Sequence, residues 1–227
     1  MRIPITKYGL PQVVVYPAIV LAVMVGAPLV LKGRTPTWGV VVIELLLPAV
    51  LVWILSFFRD PQRQSPDGAD ILLSPADGVV SDIEIVDEQT FVGGKALRIG
   101  IFLSIFNVHI NRMPCAARVE SVTYRKGRFI NAMNAESGRV NESNDIGLTR
   151  LAEPCDRLLV RQISGAIARR IVCRAQVGAE LASGEKFGMI KFGSRTELYL
   201  PIRGEATCRV KVGDKVKAGL TVLVRYE

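Results

Sequence analysis

The sequence predicts a β-rich α+β domain, barrel-like or sandwich-like, preceded by an N-terminal hydrophobic helical hairpin. Two observations carry this. Two long apolar runs crowd the first 58 residues, and the rest breaks into short Val-, Ile- and Leu-rich segments punctuated by Gly, Pro, Asn and Asp.

Leu10 to Leu31 is free of charge and about 22 residues long, where a bilayer needs about 20. Thr35 to Phe58 runs for about 24 residues, interrupted by Glu44 and Pro48. Lys32 to Pro36 joins them tightly, so the pair reads as a membrane-anchoring hairpin over 1–58, in which each helix satisfies its own backbone in lipid. The first run lacks a small-residue cleavage signal and leads into a second apolar run, which favours retention over a cleaved signal peptide. Pro17, Pro28, Pro48 and Glu44 leave open a shallow hairpin that never crosses. Arg2, Lys7, Arg59 and Arg63 against Lys32 and Arg34 place the body on the cytoplasmic face of the cell membrane.

The composition changes at Phe57-Phe58-Arg59-Asp60-Pro61, with the phenylalanines at the apolar edge and the charges at headgroup level. The body, 59–227, offers strands at 79–86, 97–104, 117–124, 157–163, 169–175, 187–192, 196–202, 206–211 and 221–226. Asn131 to Asp145 is polar and reads as a loop or short helix. Val210 to Gly219 reads as a turn between two short strands and looks like the hairpin of biotinyl and lipoyl carrier domains.

The formal charge is +8, with +3 in residues 1–58 and +5 in the body, which suits an anionic membrane surface. No stacking-aromatic or recognition-helix pattern supports nucleic acid as a partner. Cys115, Cys155, Cys173 and Cys208 form no C-x-x-C pair, and His109 is the one histidine, so no metal site is expected. The cysteines read as free thiols in a reducing compartment.

Three residues can do chemistry. The one Gly-Ser step, Gly193-Ser194, sits in Lys191-Phe192-Gly193-Ser194-Arg195 between two strand candidates, although Gly-Ser is also a common turn. His109 carries the side chain that exchanges protons near neutral pH, and by itself reads equally as a strand histidine. Asp77 follows Ser74-Pro75-Ala76 and precedes Gly78, which is ordinary turn chemistry. No lysine or phosphate loop of a pyridoxal phosphate enzyme can be identified.

The motifs Phe-Phe-Arg-Asp-Pro at 57–61, Ser-Pro-Ala-Asp-Gly at 74–78, Asn-Val-His-Ile-Asn-Arg at 107–112, Asn141-Glu142, Ala168-Arg169-Arg170-Ile171 and Phe-Gly-Ser-Arg at 192–195 occur in this order. Together they resemble the phosphatidylserine decarboxylase proenzymes, in the short bacterial and archaeal (type A-like) form, from about Phe57 to the C-terminus. Longer members carry a second histidine three residues past the first, where this chain has Arg112.

The resemblance implies self-cleavage between Gly193 and Ser194 into 1–193 and 194–227, which stay together as partners. It implies a pyruvoyl cofactor made from Ser194, with neither metal nor pyridoxal phosphate. Ser194 is expected as nucleophile, His109 as proton acceptor and Asp77 as the group orienting the ring. Arg112 and Arg195 are candidates for the phosphodiester. The implied reaction converts a membrane phospholipid, phosphatidylserine or an archaeal serine ether lipid, to the ethanolamine lipid and CO2; homo-oligomerisation stays open. Two rivals stand beside it: a membrane-tethered serine hydrolase using Ser194, His109 and Asp77, against which the Gly-x-Ser-x-Gly elbow is missing, and a noncatalytic hybrid-barrel adaptor, which would have no use for the Gly-Ser step.

Overall fold

The computed structural model describes residues 5–134, 136–166, 170–191, 193–204 and 206–227. Ala168, Arg169 and Phe192 of the motifs lie outside them. The chain divides into two compact units, Met1–Gln62 and Arg63–Glu227.

The first unit is a helical hairpin, α1 (Gln12–Leu31) and α2 (Thr37–Phe57). Both helices are long and apolar enough to cross a membrane. Pro17 and Pro28 sit inside α1 and Pro48 inside α2, and neither helix is broken. At the exit, Phe57 and Phe58 pack edge to face at 5.1 Å and both are buried. Arg59 folds back to donate to the Ser56 carbonyl at 2.7 Å. Gly9 lies so close to Phe58 that a Cβ there would stand 2.5 Å from the ring.

The second unit is built of β1 (Ile71–Leu73), β2 (Gly78–Glu88), β3 (Gly94–Leu103), β4 (Ile110–Arg112), β5 (Ala117–Arg125), a single-turn α3 (Ser137–Val140), β6 (Ser143–Arg150), β7 (Arg157–Ile163), β8 (Ile171–Cys173), β9 (Glu180–Leu181), β10 (Lys186–Ile190), β11 (Ser194–Pro201), β12 (Ala206–Cys208), β13 (Lys215–Val216) and β14 (Val222–Tyr226). An eight-stranded antiparallel sheet runs β13-β2-β3-β11-β7-β6-β5-β9. Two three-stranded sheets, β1-β14-β12 and β4-β10-β8, complete the unit.

Side chains alternate across a strand. The inner face of the large sheet therefore collects Ile99, Ile101 and Leu103 of β3, Leu198 and Leu200 of β11, Leu158 and Val160 of β7, and Ile146 and Leu148 of β6 into one core. The opposite face carries an ionic belt. Arg195 bonds Asp82 and Glu197, Arg98 bonds Asp82, and Arg161 bonds Asp145. Burial works against the charge of Arg195, but Glu197 and Asp82 outweigh it and its pKa is raised.

Two sequence expectations change. The polar stretch to Asp145 does contain the short helix, but Ser143, Asn144 and Asp145 open the buried strand β6, because Asn144 bonds Gln162 and Asp145 bonds Arg161. The C-terminal turn around Gly213 joins strands that do not pair with each other: β13 pairs β2, and β12 pairs β14.

Candidate active site

The pairing of β4 with β10 sets Met189 opposite Ile110, and Ile190 N–H donates to the His109 carbonyl at 3.2 Å. The chain leaving β10 thus passes His109 on its way to Gly193 and Ser194. Two residues further along each strand, Asn111 Nδ2 donates to Thr196 Oγ1 at 3.1 Å, while Asn111 Oδ1 accepts from Gln162 at 2.9 Å. This buried amide network locks the His109 strand to the Ser194 strand.

His109 is fully buried. Its Nε2 accepts from Gly193 N–H at 3.3 Å, and its Nδ1 lies 2.9 Å from the Asn107 carbonyl. An accepting Nε2 carries no proton, so Nδ1 holds it and donates to Asn107 O: the ring is the neutral tautomer with its basic nitrogen on the Gly193–Ser194 segment. Asn107 is itself fixed, its Oδ1 accepting from Ser104 N–H and Oγ at 2.8 Å each.

Gly193 has φ +65°, a left-handed conformation open to glycine at little cost. Its carbonyl oxygen lies against Gly165, where a Cβ would stand only 2.2 Å away. Ser194 opens β11 opposite Leu103, on the core face. Its Oγ is buried with no hydrogen-bond partner among the described residues, an arrangement that leaves a buried hydroxyl unsatisfied and therefore needs a reason. Its neighbour Gly193 lines a pocket of about 330 Å³ together with Phe102, Ser104, Ile105, Asn131, Ala132 and Ala166. Asn141 ties two of those walls together, accepting from Ile130 N–H at 2.9 Å and donating to the carbonyls of Ile130 and Ser164 at 2.8 Å each.

The sequence profile described as phosphatidylserine decarboxylase matches residues 50–224. A phosphatidylserine decarboxylase proenzyme of Rhodopirellula baltica is 42% identical over 99% of this chain and 89% of its own length. Proenzymes of the same name from Carboxydothermus hydrogenoformans and Desulfotalea psychrophila are 43% and 44% identical over 81% and 74% of this chain, and over 84% and 77% of theirs. The chain belongs to the phosphatidylserine decarboxylase family. It is an enzyme of the decarboxylase class, which sets aside the hydrolase and adaptor readings.

Against that family frame, the structure brings together Ser194, Gly193 and His109 and separates the other expected residues. The ring nitrogen Nδ1 of His109 lies on Asn107 O, and the Asp77 carboxylate bonds other groups. The Asp77 carboxylate is taken by Arg63, at 2.5 and 2.8 Å, and by Ala218 N–H at 2.8 Å. Its turn is nevertheless stitched to the His109 strand, since Pro75 O accepts from Arg112 N–H at 3.0 Å. Arg112 is buried and donates to Gly184 O at 3.0 Å. Arg195 points to the face opposite Ser194, as the two-residue period demands, and is held by Asp82, Glu197 and Ser81. Neither arginine lines the pocket.

Sequence reasoning passed over Asn107, Gly165 and Lys191. Ser104-Ile105-Phe106-Asn107 has the Ser and Asn of a tight turn, which was the available signal. Gly165 had none beyond being a glycine after a strand. Lys191 is buried, and its pKa is lowered to about 8, first by burial and then by the charge of Arg170.

Proposed function

We propose that the chain is a membrane-anchored proenzyme that cuts itself between Gly193 and Ser194 and, in its mature form, decarboxylates a serine phospholipid. The observation that carries this is the buried, unpartnered Ser194 Oγ, directly after a left-handed Gly193 whose N–H is held by the unprotonated nitrogen of His109.

His109 Nε2 is the base available to take the Ser194 hydroxyl proton. Ser194 Oγ adds to the Gly193 carbonyl carbon, the Gly193–Ser194 C–N bond breaks, and an ester replaces the amide. Loss of the Ser194 α-proton expels Gly193 as a carboxylate, and water replaces the nitrogen at residue 194, which leaves as ammonia. Gly165 leaves room for the Gly193 oxygen while its carbon changes geometry. The residues present fit a pyruvoyl group at 194, because the precursor hydroxyl is buried without a partner among the described residues and follows Gly193, which lines the pocket and is bonded by His109. That group would supply a ketone to take up the substrate amine and hold the electrons released with CO2. Around it, Phe102, Ile105 and Ala132 give the pocket apolar walls, and His109 is the chain's candidate for returning a proton to carbon.

The relatives' names support a phosphatidylserine substrate, and the two spanning-length helices support membrane attachment. The cytoplasmic face rests on the flanking cations, less Arg63, which is buried on Asp77. Mass spectrometry of the purified protein tests the cut: fragments 1–193 and 194–227 are expected, the latter with a blocked terminus. Ser194→Ala should remain whole. A split Ser194→Ala chain, or no labelled CO2 from serine-lipid vesicles with the parent, sinks the proposal.

A further inference from the structure

Two loops form the rim of the Gly193 pocket, and each follows a lining residue with an exposed apolar one. Ile105 lines the pocket and Phe106 is 68% exposed; Ala132 lines it and Met133 is 67% exposed. Hydrogen bonds hold both loops in shape. Asn107 N–H donates to Ser104 O at 2.9 Å, Asn134 N–H to Asn131 O at 2.9 Å, and Met133 N–H to Asn131 Oδ1 at 3.0 Å. The exposure of the two side chains is therefore built in. Along the chain the Met133 loop also falls between exposed Lys126 and Arg128 before it and exposed Arg139 after it, with Glu136 the one acid in that stretch.

We propose that this pocket mouth docks on a bilayer containing anionic lipid. Phe106 and Met133 enter the apolar edge, and Lys126, Arg128 and Arg139 meet the headgroups. Exposed apolar side chains in a stretch with a net excess of exposed cations match that interface in both chemistry and charge. A protein partner has no such support on the page, whereas the chain carries two helices of membrane-spanning length. The inference rests on the decarboxylase reading for its purpose: a serine headgroup reaches Gly193 while its acyl chains stay in the membrane. Other exposed apolar residues such as Ile85, at 65%, lack both a lined pocket beside them and a flanking cation cluster.

The full-length protein carrying Phe106→Ser and Met133→Ser provides the test. Turnover is measured on vesicles of mixed serine and choline lipid and on a short-chain serine lipid dispersed below its micelle concentration. The vesicle-to-dispersed ratio should fall about tenfold or more, while Ile85→Ser leaves it at the parent value. A ratio unchanged in the double variant, or a ratio lowered equally by Ile85→Ser, overturns the proposal. A second readout needs no activity. In a Cys155→Ser background, an environment-sensitive dye on Met133→Cys should shift to the blue on serine-lipid vesicles and be quenched by brominated acyl chains. The same background without Met133→Cys is the blank. Absence of shift and quenching overturns docking even if the enzyme is active. A clear shift in a protein that releases no CO2 upholds docking and sinks the decarboxylase reading instead.

Discussion

A methyl group at Gly165 would press on the bond proposed to be cut. In Gly165→Ala the new Cβ would stand 2.2 Å from the Gly193 oxygen and 3.1 Å from its carbonyl carbon. To reach even 3.0 Å, the oxygen must withdraw by about 0.8 Å, the difference between 2.2 and 3.0 Å. In the proposed cut that carbonyl is the electrophile for Ser194 Oγ, and a displacement of about 1 Å at a reacting centre costs on the order of 100-fold in rate. Conversion of freshly made chain into its 1–193 and 194–227 pieces, followed on gels and by mass spectrometry, should slow by about that factor. Misfolding is checked by placing the substitution in a Ser194→Ala background, which cannot cut, and comparing melting temperatures. Gly94→Ala is the control, since its Cβ would meet nothing within 4 Å. Gly165→Ala chains that mature at the parental rate would refute the steric argument.

His109→Gln keeps a hydrogen-bond acceptor for Gly193 N–H but removes the base, so self-cleavage should fall by about 10²–10⁴-fold on the same gels. Asp77→Asn leaves the Arg63 guanidinium, 7% exposed, without its counter-charge, and stability should fall by about 3–5 kcal/mol in urea melts. Adding Arg63→Met should restore part of that loss; strict additivity would contradict the pairing. Lys191 binds its proton more weakly when folded than the 10.5 of a free lysine, so its contribution to stability rises as pH climbs from about 8 towards 10.5 and is flat below about 8. Against Lys191→Met, the parent should gain on the order of 1–3 kcal/mol over that window, and parallel curves would remove the effect.

How far the sequence could be read depended on the range of the interactions. Strand β7 was legible at its bounds because Leu158-Leu159-Val160 is a compact apolar run between Arg157 and Arg161, and β11 because Leu198-Tyr199-Leu200 follows a Gly-Ser step. Strand β6 was not, because Ser143, Asn144 and Asp145 are buried by partners on β7 that no local pattern reveals. The family was legible through motif resemblance, and the structure sets the proposed cut site, Gly193-Ser194, beside His109. The partners of Asp77 were not legible, since Arg63 and Ala218 reach it from opposite ends of the domain's sequence. The face of Arg195 was legible, as adjacent residues on a strand face opposite ways. Asn107 acts through its carbonyl, and a backbone atom has no signature in side-chain identity.

Strand β11 begins at Ser194 and lies between β3 and β7, with β13 on the edge of the same sheet and β12 and β14 in another. A cut at 193–194 would therefore turn the connectivity of the core from covalent to associative. Before it, the last 34 residues find their places as part of one chain, at the high effective concentration a tether provides. Afterwards the same strands would have to be recaptured from solution, so folding that was unimolecular becomes bimolecular and its midpoint depends on protein concentration. The mature protein would then persist because its unfolding is slow, and its lifetime would be a rate more than an equilibrium.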